Sequence, residues 1–455
     1  MYRLSPLYFT LLGLWTKLFG TAEFALRAFS TFLGVVAVGF TYGIGYRLFG
    51  RRTAVLGALL LATSPYFIWY AQEARYYTLT IATALMMTYS FHRAIAASSW
   101  KWWLTYTASS LLGLLSLVTV VFLIAAHGLY LLCCTSHRPM LKRWMACQIP
   151  AVVMFSTWFG VQYGPALVSA VLTKAPSVTS DELRRSPEFL PASDVAGIIP
   201  YTFYAFSVGF SFGPSLRELH VSRSISTLVS HAPTLVTAGL LFATVFALGL
   251  RKLRHNDDAG IFLVLWLGVP ILATYLVATM TTFHEYNTRY VAMSLPAYIL
   301  ILARGIGRFR RPIIQLALLG SVLIVNGISL ANYYFDSEYA REDARSAAQY
   351  LESAAQPGDI ILLSGNPQAL QYYYKKGMPV VQASEQSIKN TLAVSAKLPE
   401  AGNNHVRMWL VEIRPWETDP KGNVKAALDK QARLDKHQSF PGVQIYSYQS
   451  TDRGS

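Results

Sequence analysis

Long apolar runs dominate roughly the first 330 residues and limit what this chain can fold into. Each run has about 17–25 residues, enough for a helix to cross a hydrocarbon core of about 30 Å. Lipid offers no partner to open backbone groups, so such runs must be helical. Charged residues make up only 14% of the chain, against about 25% in a soluble protein. The sequence therefore predicts a polytopic α-helical membrane protein.

About ten membrane spans are predicted. The spans with one helix each are 24–46, 53–70, 77–95, 145–164, 232–250, 260–281, 290–304 and 312–333. The stretch from Leu104 to Cys134 is too long for one span and has basic residues on both flanks. We therefore expect it to form a hairpin of two short helices, which brings the total to ten.

Basic clusters between the runs predict the orientation. They contain Arg47, Arg51, Arg52, Arg93, Lys101, Arg138, Lys142, Arg143, Arg251, Lys252, Arg254, Arg304, Arg308, Arg310 and Arg311. All fall on one side if 104–134 crosses twice, and the positive-inside rule makes that side cytoplasmic. The net charge of +15 thus indicates membrane orientation and contact with anionic lipids, with no nucleic-acid partner. The Gln72–Arg75 turn, a loop near 165–231, the 282–289 turn and everything after Phe335 then lie outside.

Two parts of the predicted outer side have sequence patterns that indicate local structure. Within the 165–231 loop, the stretch "VAGIIPYTFYAFSVGFSFGPSLRELH" is rich in Gly, Pro and aromatics, so it could lie in the interface plane instead of crossing. If it crosses, the predicted orientation fails for everything upstream or downstream of it. Residues 336–455 alternate between helix and strand patterns, which predicts a small soluble α/β domain with a mostly parallel sheet, following a membrane domain of residues 1–335. The segment "SGNPQA" is the nearest approach to a phosphate loop and a weak one.

Opposite charges between two apolar runs single out "YFIWYAQEARYYTLTIA". Ionisable residues at span ends are candidates for function. Glu73 and Arg75 could simply pair within an aromatic belt. Alternatively, they could form the mouth of a cavity for an anionic, amphipathic substrate.

Three other outer segments carry ionisable residues. In "TTFHEYNTRY", Arg289 begins an apolar span, where a guanidinium suits a phosphate at headgroup depth. The remaining candidates are His284 and Tyr290 in that segment, with Arg217 and His220 in "GPSLRELH" as residues of a plain or substrate-gating loop. Glu23 and Arg27 are four residues apart, and a helical salt bridge accounts for them.

Several function classes lack support in the sequence. It contains no Walker loop, no G-x-S-x-G and no H-E-x-x-H motif. A transporter would favour broken helices and internal repeats, and the sequence indicates neither. Candidate charges on one face favour an enzyme acting on a lipid-linked donor, with a transporter as the weakest alternative.

The segment "SPLYFTLLGLWTKLFG" and the later "YRLFGRRTAVLGALLLATSPYFIWYAQEARYYTL" closely resemble the dolichyl-phosphate-mannose-protein mannosyltransferase-like family of bacterial membrane glycosyltransferases, in the C-type superfamily. The resemblance extends over nearly all of 4–333, and "NTRYVAMSLPAY" matches a further family pattern. It implies a polyprenyl-phosphate-sugar donor, transfer at the outer face of the bacterial inner membrane, and an extracytoplasmic C-terminal α/β domain.

The same resemblance assigns roles to residues. It implies that Glu73 is a carboxylate of the site, distinct from the base, and that Arg75 and Arg289 contact the donor phosphate. Tyr76 and Tyr290 line the donor groove. The acceptor is an unidentified glycan, lipid or protein of the cell envelope, no cofactor is implied with certainty, and the need for a divalent metal stays open.

One family feature is missing. The family begins with another span and a first outer loop with an Asp-Glu pair, whose Asp is the usual base. That loop ends in a His-Pro-Pro-Leu-Tyr-like stretch, of which "LSPLYF" is the remainder. We expect the true start to lie upstream. The alternative is a relative that has lost its base and acts as a lipid-binding or scaffold protein.

Overall fold

The computed structural model describes residues 5–97, 99–172, 197–222, 225–251, 257–280, 286–377, 380–383 and 407–450. These residues form two compact units. The membrane unit contains the described residues up to 213 and from 228 to 330, and the second unit contains those of 214–227 and from 331 onward.

The chain is mainly helical. In order, the helices are α1 (Pro6–Phe19), α2 (Glu23–Phe49), α3 (Arg51–Ala62), α4 (Pro65–Ala71), α5 (Tyr77–Ala97), α6 (Trp100–Ser116), α7 (Val120–Cys133), α8 (Leu141–Leu172), α9 (Ile198–Val208), α10 (Leu216–Ser222), α11 (Ile225–Ser230), α12 (Ala232–Leu250), α13 (Asp258–Met280), α14 (Leu295–Gly307), α15 (Pro312–Phe335), α16 (Ala344–Ala354), α17 (Pro367–Tyr373), α18 (Pro415–Thr418) and α19 (Asn423–Asp429). Two 3₁₀ segments, Thr135–Met140 and Thr288–Ser294, precede α8 and α14.

Six helical segments of the described chain are long and apolar enough to cross a membrane. They are Glu23–Phe49, Thr135–Gln162, Ala232–Leu250, Asp258–Met280, Thr288–Gly307 and Pro312–Phe335, and α3 with α4 makes a seventh if the bent pair is one span. The polytopic helical architecture predicted from the sequence is confirmed. The hairpin predicted within 104–134 is also confirmed, because α6 ends at Ser116 and α7 begins at Val120.

The predicted single span 53–70 is wrong in one respect: it is broken. The axes of α3 and α4 differ by 58°. The break falls at Thr63 and Ser64, directly before Pro65, which lacks an N–H and disfavours helical geometry in the residue before it. The Ser64 side chain accepts a hydrogen bond from the Phe67 N–H at 3.4 Å and caps the new helix. The expectation of no broken helix is therefore also wrong.

Helix α9 occupies the Gly- and aromatic-rich stretch of the predicted outer loop. It has 11 residues, or about 16 Å of helix, too short to cross the hydrocarbon core. It ends at Gly209, whose φ is +73°. A Cβ at this position would lie 2.8 Å from the Pro65 Cβ, so glycine allows the end of α9 to approach the start of α4.

The second unit is built on a five-stranded sheet. Its strands are β1 (Ile360–Ser364), β2 (Val380–Gln382), β3 (Arg407–Ile413), β4 (Ala432–Phe440) and β5 (Val443–Ser450), in the order β2-β1-β3-β5-β4. The β1–β2 and β1–β3 pairs are parallel, while β3–β5 and β4–β5 are antiparallel. The prediction of a mostly parallel sheet is therefore wrong. The polar, exposed strand β4 forms a hairpin with β5, and this polarity is why it carried no apolar strand signal.

Apolar residues cover both faces of this sheet. Trp409 and Val411 point to the face packed by α16 and α17. Met408 and Leu410, between them in sequence, point to the face packed by α19. Side chains alternate along a strand, so β3 supplies both cores.

Candidate functional site

The turn from Gln72 to Tyr76 joins the bent helix pair to α5. Helix α4 ends at Ala71, and the Arg75 N–H bonds the Glu73 carbonyl at 2.7 Å. The Arg75 guanidinium donates to the Tyr77 hydroxyl at 3.4 Å. The break before Pro65 thus determines the direction in which α4 presents this short charged turn.

The second part of the site is the 3₁₀ segment Thr288–Ser294. Three side chains from other helices donate to its main-chain carbonyls: Tyr66 to Thr288 at 2.9 Å, Thr119 to Tyr290 at 2.7 Å and Trp266 to Met293 at 2.9 Å. At its start, the Asn287 side chain accepts from the Arg289 N–H at 3.0 Å. Helices α4 and α13 and the start of α7 therefore all fix this segment.

Arg289 is held within this segment and is only 8% exposed. Its guanidinium lies over the Tyr290 ring, 5.2 Å from the ring centroid. A guanidinium keeps its positive charge even where hydration is poor. The structure thus places a positive charge where little water reaches it.

The turn and the 3₁₀ segment meet. The side chain of Tyr76 is within electrostatic reach of Arg289, Tyr290 and Arg75. Burial raises the pKa of the Tyr76 hydroxyl, whereas the two guanidiniums act in the opposite direction. Four predicted donor-binding residues, Arg75, Tyr76, Arg289 and Tyr290, therefore form one cluster.

Arg75 lies between charges of both signs. Burial disfavours its charged form, but Tyr77 and Glu73 outweigh this effect and raise the pKa of Arg75, while Arg289 acts to lower it. Two cations that repel each other in a poorly hydrated place favour an anion between or beside them. The cluster is suited to bind a phosphate.

Glu73 lies at the edge of the cluster, within electrostatic reach of Arg75 and of the Tyr8 hydroxyl. That hydroxyl forms a 2.7 Å hydrogen bond with Ser30, and the Tyr8 ring packs with Phe29. Tyr8 belongs to the "LSPLYF" remainder of the family motif. The family motif was therefore the available signal that Tyr8 lies near the site.

The other candidate residues from the sequence do not lie in this cluster among the described residues. Arg217 belongs to the second unit, with its guanidinium 5.7 Å from the ring centroid of Trp416. Beside it, the Ser215 hydroxyl accepts from the Glu218 N–H and the Glu218 carboxylate accepts from the Ser215 N–H, a capping box that begins α10. His284, its neighbour Glu285 and the His220 side chain lie outside the described residues.

Sequence analysis missed the residues that hold the 3₁₀ segment: Tyr66, Thr119, Trp266 and Asn287. Their partners are 27 to 222 residues away for the first three, so no local pattern reveals them. The salt bridge predicted between Glu23 and Arg27 is confirmed at 2.5 Å. In the part of the chain that the structure describes, no group of three or more His, Cys, Asp or Glu side chains could hold a metal ion.

Comparison with known proteins agrees with this fold. Residues 4–159 match the family described as dolichyl-phosphate-mannose-protein mannosyltransferase. An uncharacterized protein of Aquifex aeolicus is 28% identical over 229 residues, 47% of this chain and 44% of that protein. A dolichyl-phosphooligosaccharide-protein glycotransferase of Pyrococcus furiosus is 23% identical over 186 residues, 40% of this chain and 23% of that protein. The matched stretches thus span less than half of these curated relatives.

A solved structure matches over nearly the whole chain. Apo ArnT from Cupriavidus metallidurans superimposes with a TM-score of 0.55 at 14% identity, over 98% of this chain and 88% of that one. At this identity the likeness establishes the fold. The chain is therefore a polytopic membrane protein with the fold of ArnT, and its residues 4–159 are similar to the dolichyl-phosphate-mannose-protein mannosyltransferase family.

Proposed function

We propose that the protein transfers a sugar from a polyprenyl-phosphate donor to a cell-envelope acceptor at the outer face of the bacterial inner membrane. The observation that carries this proposal is the cluster of Arg75 and Arg289, two guanidiniums in mutual electrostatic reach beside Tyr76. The family match and the Pyrococcus relative support it, because the names of both refer to dolichyl-phosphate-linked sugars.

The chemistry assigns distinct tasks to the cluster. An acceptor hydroxyl loses its proton to a carboxylate base and attacks the anomeric carbon, while the bond from that carbon to the phosphate oxygen breaks. The leaving lipid phosphate gains negative charge, which Arg75 and Arg289 stabilise. Tyr76 and Tyr290 line the donor groove. Glu73 orients the sugar or the acceptor and sets the charge of Arg75, and the base is a further carboxylate.

The test uses the full chain in lipid nanodiscs with radiolabelled polyprenyl-phosphate sugars and an envelope acceptor fraction. Arg289→Gln and Arg75→Gln should each reduce transfer by about 10²–10³-fold, the effect of removing one preorganised group from a developing charge. Glu73→Gln should also abolish most transfer. The matched control is Arg27→Gln, which removes an arginine paired at the surface of α2 and should leave transfer unchanged.

A second measurement separates the proposal from the lipid-binding alternative. Stabilisation of the protein by polyprenyl phosphate reports lipid-phosphate binding without turnover. We expect both transfer and this stabilisation to depend on Arg289. Arginine-dependent stabilisation without transfer from any donor would assign a lipid-binding role instead, and wild-type transfer by Arg289→Gln would remove Arg289 from the site.

A further inference from the structure

Helix α9 brings a piece of the predicted outer loop into the interior of the membrane unit. Its polar residues Thr202 and Ser207 are buried, with exposed fractions of 0% and 9%. Buried hydroxyls in folded proteins are almost always hydrogen-bonded. The partners of these two hydroxyls therefore show which elements α9 holds.

Two tyrosines from outside the helix donate to α9. The Thr202 hydroxyl donates to the Ile198 carbonyl at 3.0 Å and lies 2.8 Å from the Tyr286 hydroxyl. A hydroxyl has one proton and a carbonyl can only accept, so both contacts are satisfied when Tyr286 donates to Thr202. Ser207 likewise donates to a carbonyl of α9 at 2.7 Å, and it accepts from the Tyr298 hydroxyl at 2.5 Å.

These tyrosines lie on either side of the 3₁₀ segment Thr288–Ser294. Tyr286 directly precedes Asn287, whose side chain accepts from the Arg289 N–H at 3.0 Å and begins the segment. Tyr298 lies in the first turn of α14, the helix that follows the segment directly. Helix α9 therefore holds both ends of the segment that carries Arg289.

The same helix packs on α4, which leads to the turn that carries Arg75. The Phe206 ring packs against the Tyr66 ring in a T-shaped arrangement, with the centroids 5.0 Å apart. The Tyr66 hydroxyl in turn donates to the Thr288 carbonyl at 2.9 Å. At the end of α9, Gly209 lies against the first residue of α4. The contacts of α9 thus reach the elements that carry both arginines of the cluster.

We propose that α9 is a positioning element of the donor site. It holds the 3₁₀ segment and packs on α4, and so keeps Arg289 and Arg75 at the separation that one phosphate group requires. The attraction between charges falls with distance, so a small displacement of either guanidinium weakens phosphate binding. Tyr286 and Tyr298 are the positioning residues and act through the backbone that carries Arg289. Only the identity of the ligand rests on the proposed function.

The test variant is Y286F/Y298F, which removes both tyrosine donors to α9. The hydroxyls of α9 keep their bonds to carbonyls of their own helix, so the variant should stay folded in nanodiscs. The matched control is Y42F/Y46F, which makes the same chemical change at two exposed tyrosines of α2.

The first measurement is hydrogen exchange of the full chain in nanodiscs without added polyprenyl phosphate. Y286F/Y298F should speed exchange of the amides in Thr288–Ser294 about tenfold, because two hydrogen bonds that hold the ends of this segment are lost. The amides of α6 should exchange as in the wild type, and the control variant should match the wild type throughout. Unchanged exchange in the segment would refute the proposal, whatever lipid the protein binds.

The second measurement compares thermal stabilisation by polyprenyl phosphate and by polyprenol, which lacks the phosphate. In Y286F/Y298F, affinity for polyprenyl phosphate should fall about tenfold, while affinity for polyprenol stays unchanged, because only the phosphate interacts with the arginines. Thr202→Ser keeps the acceptor of Tyr286 and should bind both ligands as the wild type does. Equal weakening of both ligands by Y286F/Y298F, or no weakening, would refute the positioning role.

This proposal and the proposed function can fail separately. If the wild type binds polyprenyl phosphate no more tightly than polyprenol, the proposed donor is wrong, and hydrogen exchange still decides whether α9 holds the segment. If the wild type prefers the phosphate and Y286F/Y298F keeps both that preference and slow exchange, α9 has no positioning role and the proposed transfer stands.

Discussion

In the membrane unit, the side chains that link other helices to the site donate their hydrogen bonds to main-chain carbonyls. Tyr66, Thr119 and Trp266 all donate to carbonyls of the 288–294 segment, at 2.7–2.9 Å. In the second unit, comparable buried side chains donate their hydrogen bonds to carboxylates. The Trp409 indole donates to Asp359 at 2.8 Å, and the Tyr448 hydroxyl donates to Asp429 at 2.7 Å.

The difference follows from the solvent around each unit. A neutral donor on a carbonyl needs no buried charge, whereas an ionised carboxylate is expensive at membrane depth and tolerable in a domain that water surrounds. Arg289, 8% exposed in the membrane unit, departs from this pattern. That departure is the physical reason to regard the arginine cluster as functional.

The largest stability effect is expected where the second unit depends on a buried carboxylate. Asp359 accepts from Trp409 and from the Gln356 N–H at 2.9 Å, with Arg407 at 3.8 Å. Asp359→Ala should lower the free energy of unfolding by about 3–5 kcal/mol, since it leaves these donors buried without their acceptor. Faster hydrogen exchange of the β1 and β3 amides in the full chain measures it. The control is Asp435→Ala, which removes an exposed carboxylate. Equal destabilisation by both variants would show that the second unit does not depend on the buried Asp359 carboxylate.

Close helix packing in the membrane unit should give the next largest effect. A Cβ on Gly305 of α14 would lie 2.2 Å from the Val245 carbonyl oxygen of α12. Gly305→Ala must push these helices apart, so it should destabilise the unit by about 1–3 kcal/mol and lower its melting temperature in detergent. Gly239→Ala on α12 meets nothing within 4 Å and should be neutral. A neutral Gly305→Ala would show that this crossing is loose.

A buried carboxylate of the second unit should make its stability depend on pH. Burial raises the pKa of Glu412 to about 7, and Asp419 and Asp429 add to this while Lys425 opposes it. From about pH 4.5 to 7 the folded protein keeps a proton that the unfolded chain has lost. The free energy of unfolding therefore falls as pH rises, by up to about 3 kcal/mol, since each pKa unit corresponds to about 1.4 kcal/mol.

Glu412→Gln removes this titration and should stabilise the second unit at pH 8 by up to about 3 kcal/mol, with little change near pH 4.5. Hydrogen exchange of β3 and β5, corrected for the intrinsic pH dependence, reports the difference. The neighbours Tyr446 and Tyr448 stay neutral over this range because the pKa of each is raised. If Glu412→Gln leaves the pH dependence of stability unchanged, another group causes that dependence. The control variant Asp435→Asn should retain the wild-type pH dependence.

The smallest effect tests whether carbonyl contacts position the arginine cluster. Thr119→Val removes the donor to the Tyr290 carbonyl without changing side-chain shape. It should weaken polyprenyl-phosphate stabilisation and sugar transfer about fivefold, equivalent to about 1 kcal/mol. Thr157→Val removes a hydroxyl that bonds only within its own helix and should have no effect. Equal results from both would show that Thr119 does not position the segment.

Local patterns predicted much of the molecule. The apolar runs located the helices, and the amphipathic pattern "EDARSAAQYLESAA" predicted α16. The charged turn and "NTRY" were picked out separately as functional. The break at Ser64 was missed although Pro65 signals it, because the apolar run continues across it. Strand β4 was missed because its residues are polar and mostly exposed.

Sequence patterns alone established a helical membrane protein, located the charged residues that could form a site, and showed the resemblance to a family. Those conclusions rest on neighbours in the chain, where apolar length and local charge are visible. Arg75 and Arg289 are 214 positions apart in the sequence, and it is evident only from the folded chain that both act on the same tyrosine. Contacts over such separations depend on how helices bend and cross, and here the bend before Pro65 and hydrogen bonds to distant carbonyls bring the two arginines together.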